Sequence, residues 1–155
     1  MLIQDFVQVR APFDAVCEQL RETPPNWLAE GASAAYAEGE QLVMRLTTGS
    51  GDITVGKRVQ LDLGTAYPRG EGIVVPMSWW ATGAQRLFPT LDADLEVMPL
   101  GSDQVMVTLM GRYEPPLGPV GRSLDRLVMH RVAEICIRGF LRRAAASLER
   151  RTAAA

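Results

Sequence analysis

The spacing of hydrophobic and polar positions divides the chain into a strand, a helical region, a long region of alternation and a final helix. Residues 2–9 alternate and predict the first strand, which ends before Pro12. Residues 13–22 carry apolar side chains at helical spacing, and the first turn of a helix tolerates a proline because its missing N–H has no partner there. After the break at 23–25, the run 27–39 predicts a second helix.

From residue 41 to residue 114 the period changes to an alternation of two. Turns rich in Gly, Pro and Asp separate the alternating segments, and this arrangement predicts an antiparallel meander. A helix without internal proline is expected over 121–151. The fold class is therefore α+β, with a single domain over 1–155, since neither a repeat nor a linker interrupts the pattern. The predicted strands of the meander are 41–48, 53–66, 72–82, 88–98 and 103–114.

Trp79 and Trp80 are adjacent, so the alternation must place their indoles on opposite faces of a strand. Trp79 occupies an odd-numbered position of the strand, like Val75 and Met77, whereas Trp80 occupies an even-numbered position, like Ser78. Because a sheet with one covered face is apolar inside and polar outside, Trp79 is predicted to face the interior and Trp80 the solvent.

The same sorting of faces bears on catalysis. Asp92 and Asp94, the carboxylates considered as a catalytic pair, lie together on the predicted solvent face. Thr65 and Tyr113 are among the few polar groups predicted on the inner face. General acid–base chemistry needs titratable groups aimed at the substrate, so the strands alone do not supply an active site.

Composition and charge argue against several classes of function. A net charge of −2 gives no reason to expect nucleic acid as a partner. The chain has one histidine, His130, and two cysteines without CxxC spacing, so no metal site is expected. Two buried thiols are favoured over a disulfide between Cys17 and Cys136.

The sequence also bears on location and assembly. It contains neither a signal peptide nor a run of about 20 apolar residues, so we expect a cytoplasmic protein without a transmembrane segment. Lys57 is the only lysine among the 16 basic residues, a bias typical of a GC-rich bacterial genome. The sequence does not determine the oligomeric state, and an exposed Trp80 is a candidate contact in a dimer.

The predicted C-terminal helix places Arg126 and His130 on the same side as Ile137, at about 100° per residue. Two arrangements of the Arg126 and His130 side chains are compatible with this spacing. Either both polar side chains point toward the sheet and hold the polar end of a ligand, or they lie at the rim with their charges in water. A competing apolar stripe that includes Val128 and Ile135 favours the rim.

Nucleotide-binding and hydrolase motifs are absent from the sequence. The glycines of 49–56 lack the GK[ST] ending of a phosphate-binding loop. Ser123 is not in a GxSxG elbow, because Asp125 stands where the second glycine belongs. No cofactor is therefore expected.

Several stretches carry a family resemblance. VRAPFDAV at 9–16 is similar to a strand-to-helix transition, and GRSLDRLVMHRVAEICIRGFLRRAAASLER at 121–150 is similar to a long closing helix. Between them, LFPTLDADLEVMPLG at 87–101 is followed by VTLMGRYEPPLG at 107–118, much as in bacterial members of the family. Over nearly its whole length the chain resembles the START-related superfamily, also called SRPBCC, which includes polyketide cyclases/dehydrases, plant pollen allergens and lipid-transfer domains. The likeness is one of fold more than of catalytic signature.

The resemblance implies a helix-grip fold. In that fold a curved antiparallel sheet of about six strands wraps a long C-terminal helix, with two short helices after the first strand. It also implies a cavity between sheet and helix that takes a hydrophobic small molecule. No catalytic residues carry over, because the family has no single catalytic triad, and the few polar groups on the inner face distinguish this chain from cyclase-like members.

We expect the cavity to bind an apolar small molecule such as a lipid, a polyketide or an aromatic compound. A second hypothesis is a cyclase or dehydratase, with His130 as acid/base and Arg126 or Tyr113 orienting a carbonyl. A third is a structural or interaction module with a filled core. The cavity mouth is expected near 66–72 or 114–121. The predicted ligand-binding residues are Met77, Trp79, Leu95, Leu109, Tyr113, Arg126, His130 and Ile137.

Overall fold

A computed structural model describes residues 1–21, 26–48, 59–81, 90–114 and 126–155, without the side chains of 40–41, 43–48, 81 and 126. Within these ranges the chain forms three helices and six strands. In chain order the elements are β1 (Leu2–Val9), α1 (Phe13–Arg21), α2 (Asn26–Thr48), β2 (Val59–Leu63), β3 (Tyr67–Arg69), β4 (Gly72–Ala81), β5 (Thr90–Pro99), β6 (Val105–Glu114) and α3 (Arg126–Ala154).

The described strands form one antiparallel sheet in the order β1-β6-β5-β4-β2, and β3 pairs with β4 beside β2. Strands β4, β5 and β6 are neighbours in both sequence and space, which confirms the predicted meander. The sheet curves around α3, which also packs against α2. The α+β class is confirmed, whereas the predictions for 53–58, 82, 88–89 and 121–125 lie outside the described residues.

The prediction of a strand over 41–48 is wrong, because α2 continues to Thr48. The alternation there is short, and no proline separates it from the preceding helix. Gly39 costs a helix about 1 kcal/mol, but it also lets α2 approach α3 closely. A Cβ atom at Gly39 would overlap Sγ of Cys136. Packing of α2 against α3 therefore outweighs the local preference.

The segment 66–72, predicted as a loop, contains the short strand β3. β2 and β3 run along the same edge of β4, and their registers differ by one residue, which is the geometry of a β-bulge. Gly70 has φ 60° at the first position of the turn between Arg69 and Gly72, as a type II′ turn requires. With three residues, β3 is too short for alternation to reveal it.

The predicted faces of the sheet are confirmed at the tryptophan pair. Trp79 is 2% exposed and belongs to the hydrophobic core, whereas Trp80 is half-buried on the outer face, opposite Gln60. The two indoles therefore lie in different environments, although they are consecutive in the chain.

A pair of small residues on the inner face permits the curvature of the sheet. Gly111 of β6 lies opposite Ala93 of β5. A Cβ atom at Gly111 would overlap the Cβ of Ala93 and the carbonyl oxygen of Asp92. Glycine at a bend relieves crowding between side chains on the concave side. The missing side chain at Gly111 therefore removes crowding on the concave face where β5 and β6 pair.

Strand β1 forms one edge of the described sheet, and carboxylates cover part of this edge. The backbone N–H of Phe6 donates to Oδ1 of Asp5 at 2.9 Å, and that of Arg10 donates to Oε1 of Glu149 at 2.9 Å. Arg138 of α3 donates to the other oxygen of Asp5 at 3.1 Å. Charged groups at an edge oppose pairing with a strand of another chain. This edge is therefore protected against strand-to-strand association.

Cys17 and Cys136 are buried, and they form no disulfide. Burial raises the pKa of the Cys17 thiol, while Arg21 lowers it in part and Asp14 adds to the rise. Because the thiolate is the reactive form, we expect iodoacetamide to label Cys17 much more slowly in the native protein than in concentrated urea at the same pH. The measurement is the labelling rate by mass spectrometry in a Cys136→Ala variant. Equal rates in the two conditions would contradict the burial of this thiol.

Candidate functional site

One row of inner-face side chains crosses the sheet near the ends of its longer strands. Leu61, Trp79, Leu91 and Tyr113 lie opposite one another in register. Met1 continues the row, because its backbone oxygen accepts from the N–H of Tyr113 at 2.9 Å and its nitrogen donates to Tyr113 O at 2.6 Å. We call these five residues the end row. β4, β5 and β6 each end or begin within two residues of it.

Helix α3 follows the length of β1, with contacts at Met1, Asp5 and Arg10, and it also reaches the end row at Trp79. At one end of the row, Nδ1 of His130 lies 3.4 Å from Sδ of Met1. At the other end, Phe140 meets Trp79 edge to face, with ring centroids 5.1 Å apart and planes at 78°. This arrangement is favoured for aromatic pairs. Between these contacts, the buried Ile137 belongs to the same core cluster. The end row and α3 thus face each other in the region where the sequence predicts a ligand.

Trp79 places a polar group in this apolar region. Its Nε1 atom is buried, and no hydrogen-bond partner for it lies among the described residues. An indole N–H can only donate, and leaving a buried donor unsatisfied costs about 1–3 kcal/mol. Nε1 of Trp27 on α2 has no partner in the described ranges either, but that ring lies 5.8 Å from the guanidinium carbon of Arg151.

Six of the eight predicted ligand-binding residues lie in one buried cluster, and His130 is outside it. The His130 side chain is 45% exposed, and its Nε2 lies 3.2 Å from Oε1 of Glu134, one turn further along α3. Its position is thus at the rim of the helix. The side chain of Arg126 lies outside the described residues, and a role of any of the eight in ligand binding stays a prediction. The clustered residues are Met77, Trp79, Leu95, Leu109, Tyr113 and Ile137.

The region between sheet and α3 is electrostatically neutral as far as the structure describes it. No charged side chain is buried in the described ranges. In the same ranges, no group of three His, Cys, Asp or Glu side chains is placed to hold a metal ion. The polar atoms that reach the cluster from described residues include the Trp79 N–H and the hydroxyls of Tyr36 and Tyr113. Such a lining suits an apolar molecule with few polar atoms.

Two grooves open on the outer face of the sheet. The larger has a volume of about 700 Å³, and its lining includes Asp62, Asp92, Asp94 and Arg112. The smaller, of about 350 Å³, lies beside Trp80. Asp92 lies opposite Arg112 in register, so charges of opposite sign are neighbours on this surface. The predicted outward position of Asp92 and Asp94 is therefore confirmed.

Of the two segments predicted to flank the cavity mouth, the structure describes 66–72 but not most of 114–121. The turn at 70–71 lies at the start of β4, whereas Trp79 lies near its end. Residues 115–121 lie outside the described part of the chain. The hairpin formed by β3 and β4 is therefore at the opposite end of β4 from the end row.

Helix α2 contributes to the core in a way that the sequence does not predict. Leu28, Ala32 and Tyr36 are buried in the same cluster as the end row residues Trp79 and Leu91. Their spacing of four residues places them on one face of the helix. Small residues between them weaken the periodic pattern, so this spacing is the signal that identifies the buried face of α2.

Solved structures include similar folds. A conserved protein from Geobacillus kaustophilus matches 97% of this chain and 96% of its own, with a TM-score of 0.58 and 10% identity. In our structure, a curved antiparallel sheet wraps a long C-terminal helix, as the resemblance to START-related proteins predicts. The chain has the helix-grip fold.

Two further structures match with lower TM-scores. The Zhui aromatase/cyclase from Streptomyces sp. R1128 is 14% identical, with 97% of this chain and 94% of that chain covered and a TM-score of 0.45. Ara h 8.0201 is 11% identical, with 96% and 97% covered and a TM-score of 0.33. No protein-family model and no curated protein matches the chain. Among the described helices, none is long and apolar enough to cross a membrane.

Proposed function

We propose that this protein binds an apolar small molecule between the end row and α3. The observation that carries the proposal is the chemical character of this region. Aliphatic and aromatic side chains from the sheet and from α3 meet there, and no described charged side chain is buried among them. Small-molecule sites are concave and mostly apolar, with a small number of polar groups that orient the ligand. A helix-grip fold provides the concave surface.

Binding is proposed rather than catalysis because of where the titratable groups lie. His130, the candidate acid/base, contacts Glu134 and Met1 at the rim of α3. Asp92 and Asp94 line a groove on the outer face of the sheet. Acid–base catalysis requires a group within hydrogen-bond reach of the substrate proton, and these three side chains are not part of the buried cluster.

The test uses a neutral apolar fluorophore, N-phenyl-1-naphthylamine, titrated into the purified protein. We expect saturable binding of one probe per chain, with increased emission as the probe leaves water. Native mass spectrometry of protein purified from its own host checks for a small molecule that co-purifies. If the probe does not bind and no small molecule is found, the interior is a filled core and the proposal is wrong.

A pair of substitutions on α3 locates the site. Ile137 is fully buried toward the sheet, whereas Ile135 is 45% exposed on the same helix. Ile137→Phe adds volume to the proposed site, so we expect it to weaken probe binding by about tenfold or more. Ile135→Phe makes the same chemical change at the surface and should leave the affinity unchanged. Equal affinities in the two variants would contradict this location.

A further inference from the structure

The polar atom of the proposed site indicates what kind of ligand fits it. We propose that the ligand is uncharged and carries a hydrogen-bond acceptor, such as a ketone or ester oxygen, which accepts from Nε1 of Trp79. This inference rests on the proposed function, because it assigns the chemical class of the molecule bound there.

The first argument is the unsatisfied donor. Trp79 is 2% exposed, and its Nε1 has no hydrogen-bond partner among the described residues. Tryptophan that is buried normally finds an acceptor for its N–H, because water is no longer available to it. Since the indole N–H is a donor only, the complementary group must supply a lone pair.

The second argument concerns water as the missing partner. A buried water is held by about two to four polar neighbours. The described neighbours of Trp79 include Phe140, which meets its ring edge to face, and Leu61 and Leu91, which lie beside it in the end row. These side chains offer no hydrogen bonds. An acceptor on an apolar molecule suits this environment better than a water molecule does.

The third argument excludes a charged acceptor. A carboxylate moved from water into an apolar interior is strongly destabilised unless an opposite charge lies beside it. No charged side chain is buried in the described ranges, so these offer no counter-charge. An uncharged oxygen makes the same hydrogen bond without that penalty. A ketone or ester therefore fits, and a free carboxylic acid in its ionised form does not.

The experiment compares three 2-substituted naphthalenes: 2-ethylnaphthalene and 2-acetylnaphthalene, which share one carbon skeleton, and 2-naphthoate, in which a carboxylate replaces the acetyl group. In the wild-type protein we expect 2-acetylnaphthalene to bind up to about tenfold more tightly than 2-ethylnaphthalene, the effect of one net hydrogen bond. 2-Naphthoate should bind more weakly than either. Affinities are measured by isothermal titration calorimetry.

Trp79→Phe removes the N–H and keeps an aromatic ring. The extra space left by the smaller ring affects all three probes, so the ratio of acetyl to ethyl affinity isolates the hydrogen bond. We expect this ratio to fall to about one in Trp79→Phe. Trp27→Phe removes another buried N–H that has no partner in the described residues, and it should leave the ratio as in the wild type.

A second measurement does not depend on how well Trp79→Phe folds. The chain has three tryptophans, so the wild-type protein gives three indole N–H signals by NMR, assigned with the Trp27→Phe and Trp80→Phe variants. The Trp79 signal should move downfield with 2-acetylnaphthalene and much less with 2-ethylnaphthalene. The other two signals should move little with either probe.

The outcomes separate the two proposals. Equal binding of the ethyl and acetyl probes, or a ratio that survives Trp79→Phe, overturns the inference and leaves apolar binding intact. Tightest binding of 2-naphthoate overturns the inference as well, since it requires a charge near the site. If none of the three probes binds although N-phenyl-1-naphthylamine does, the inference is overturned and the proposed function stands; if N-phenyl-1-naphthylamine fails as well and no molecule co-purifies, the proposed function itself fails.

Discussion

Replacing Trp79 by alanine is expected to lower the free energy of unfolding by about 3–5 kcal/mol. Trp79 is 2% exposed and packs edge to face on Phe140, so its loss removes a large apolar surface and leaves a cavity that the sheet and α3 cannot close. Urea unfolding of the purified variant measures the change.

Trp80→Ala is the matched control, because it deletes the same side chain at the next position. Trp80 is half-buried on the outer face, beside an open groove, so its removal creates no enclosed cavity. We expect a loss well below that of Trp79→Ala. A loss of less than about 1.5 kcal/mol at Trp79 would contradict the large packed surface assigned to this side chain.

The difference between these two tryptophans could be predicted because period-two alternation is a strict geometric rule. Each step along a strand reverses the face, so the apolar partners Val75 and Met77 determine the side of Trp79. The same rule placed Asp92 and Asp94 outside, where the structure has them. Inner and outer faces, and with them most of the core of the sheet, follow from parity alone.

Other parts of the fold depend on contacts between segments, which alternation along the chain does not predict. The run 41–48 alternates, but it forms the end of α2, because helix packing prevails over a short local pattern. A bulge separates β3 from β2, a tight turn joins it to its partner β4, and three residues show no period. Both errors concern segments too short for a pattern to be decisive.

The candidate site was predictable in its lining but not in its polar chemistry. Parity identifies Met77, Leu95 and Leu109 as inward residues, and all three are buried. It does not show whether the Trp79 N–H meets an acceptor, since that depends on neighbours distant in sequence. The position of His130 beside Met1 likewise joins residues at opposite ends of the chain, which helical spacing cannot reveal.

Gly111→Ala is expected to destabilise the protein by about 3 kcal/mol, at the upper end of the range for overpacking. The added methyl group would overlap backbone and side-chain atoms of β5 at Asp92 and Ala93. Relief requires the two strands to separate or the sheet to flatten, and either change weakens the packing on α3. Urea unfolding again measures the loss.

Gly31→Ala is also a glycine-to-alanine substitution, but it is expected to raise the free energy of unfolding. A Cβ atom there lies at 3.6 Å from Cβ of Arg143, an ordinary contact. Gly31 lies inside α2, where alanine is favoured by about 0.5–1 kcal/mol, so this variant should be more stable than the wild type. If Gly111→Ala is no less stable than the wild type, the crowding assigned to Gly111 is wrong, and a loss in Gly31→Ala contradicts only the expectation for α2.

The double variant Ala93→Gly with Gly111→Ala decides whether curvature is the cause. Removing the methyl group at Ala93 eliminates one of the three overlaps, while those with the carbonyl oxygen of Asp92 and with Cα of Ala93 remain. We therefore expect the double variant to be more stable than Gly111→Ala but less stable than the wild type. Ala93→Gly alone should destabilise the strand by about 0.5–1 kcal/mol. If the crowding flattens the sheet, Gly111→Ala should also weaken N-phenyl-1-naphthylamine binding between the sheet and α3, and the double variant should regain part of that affinity. Recovery of stability without any return of binding would show that the bend supports the fold and not the site.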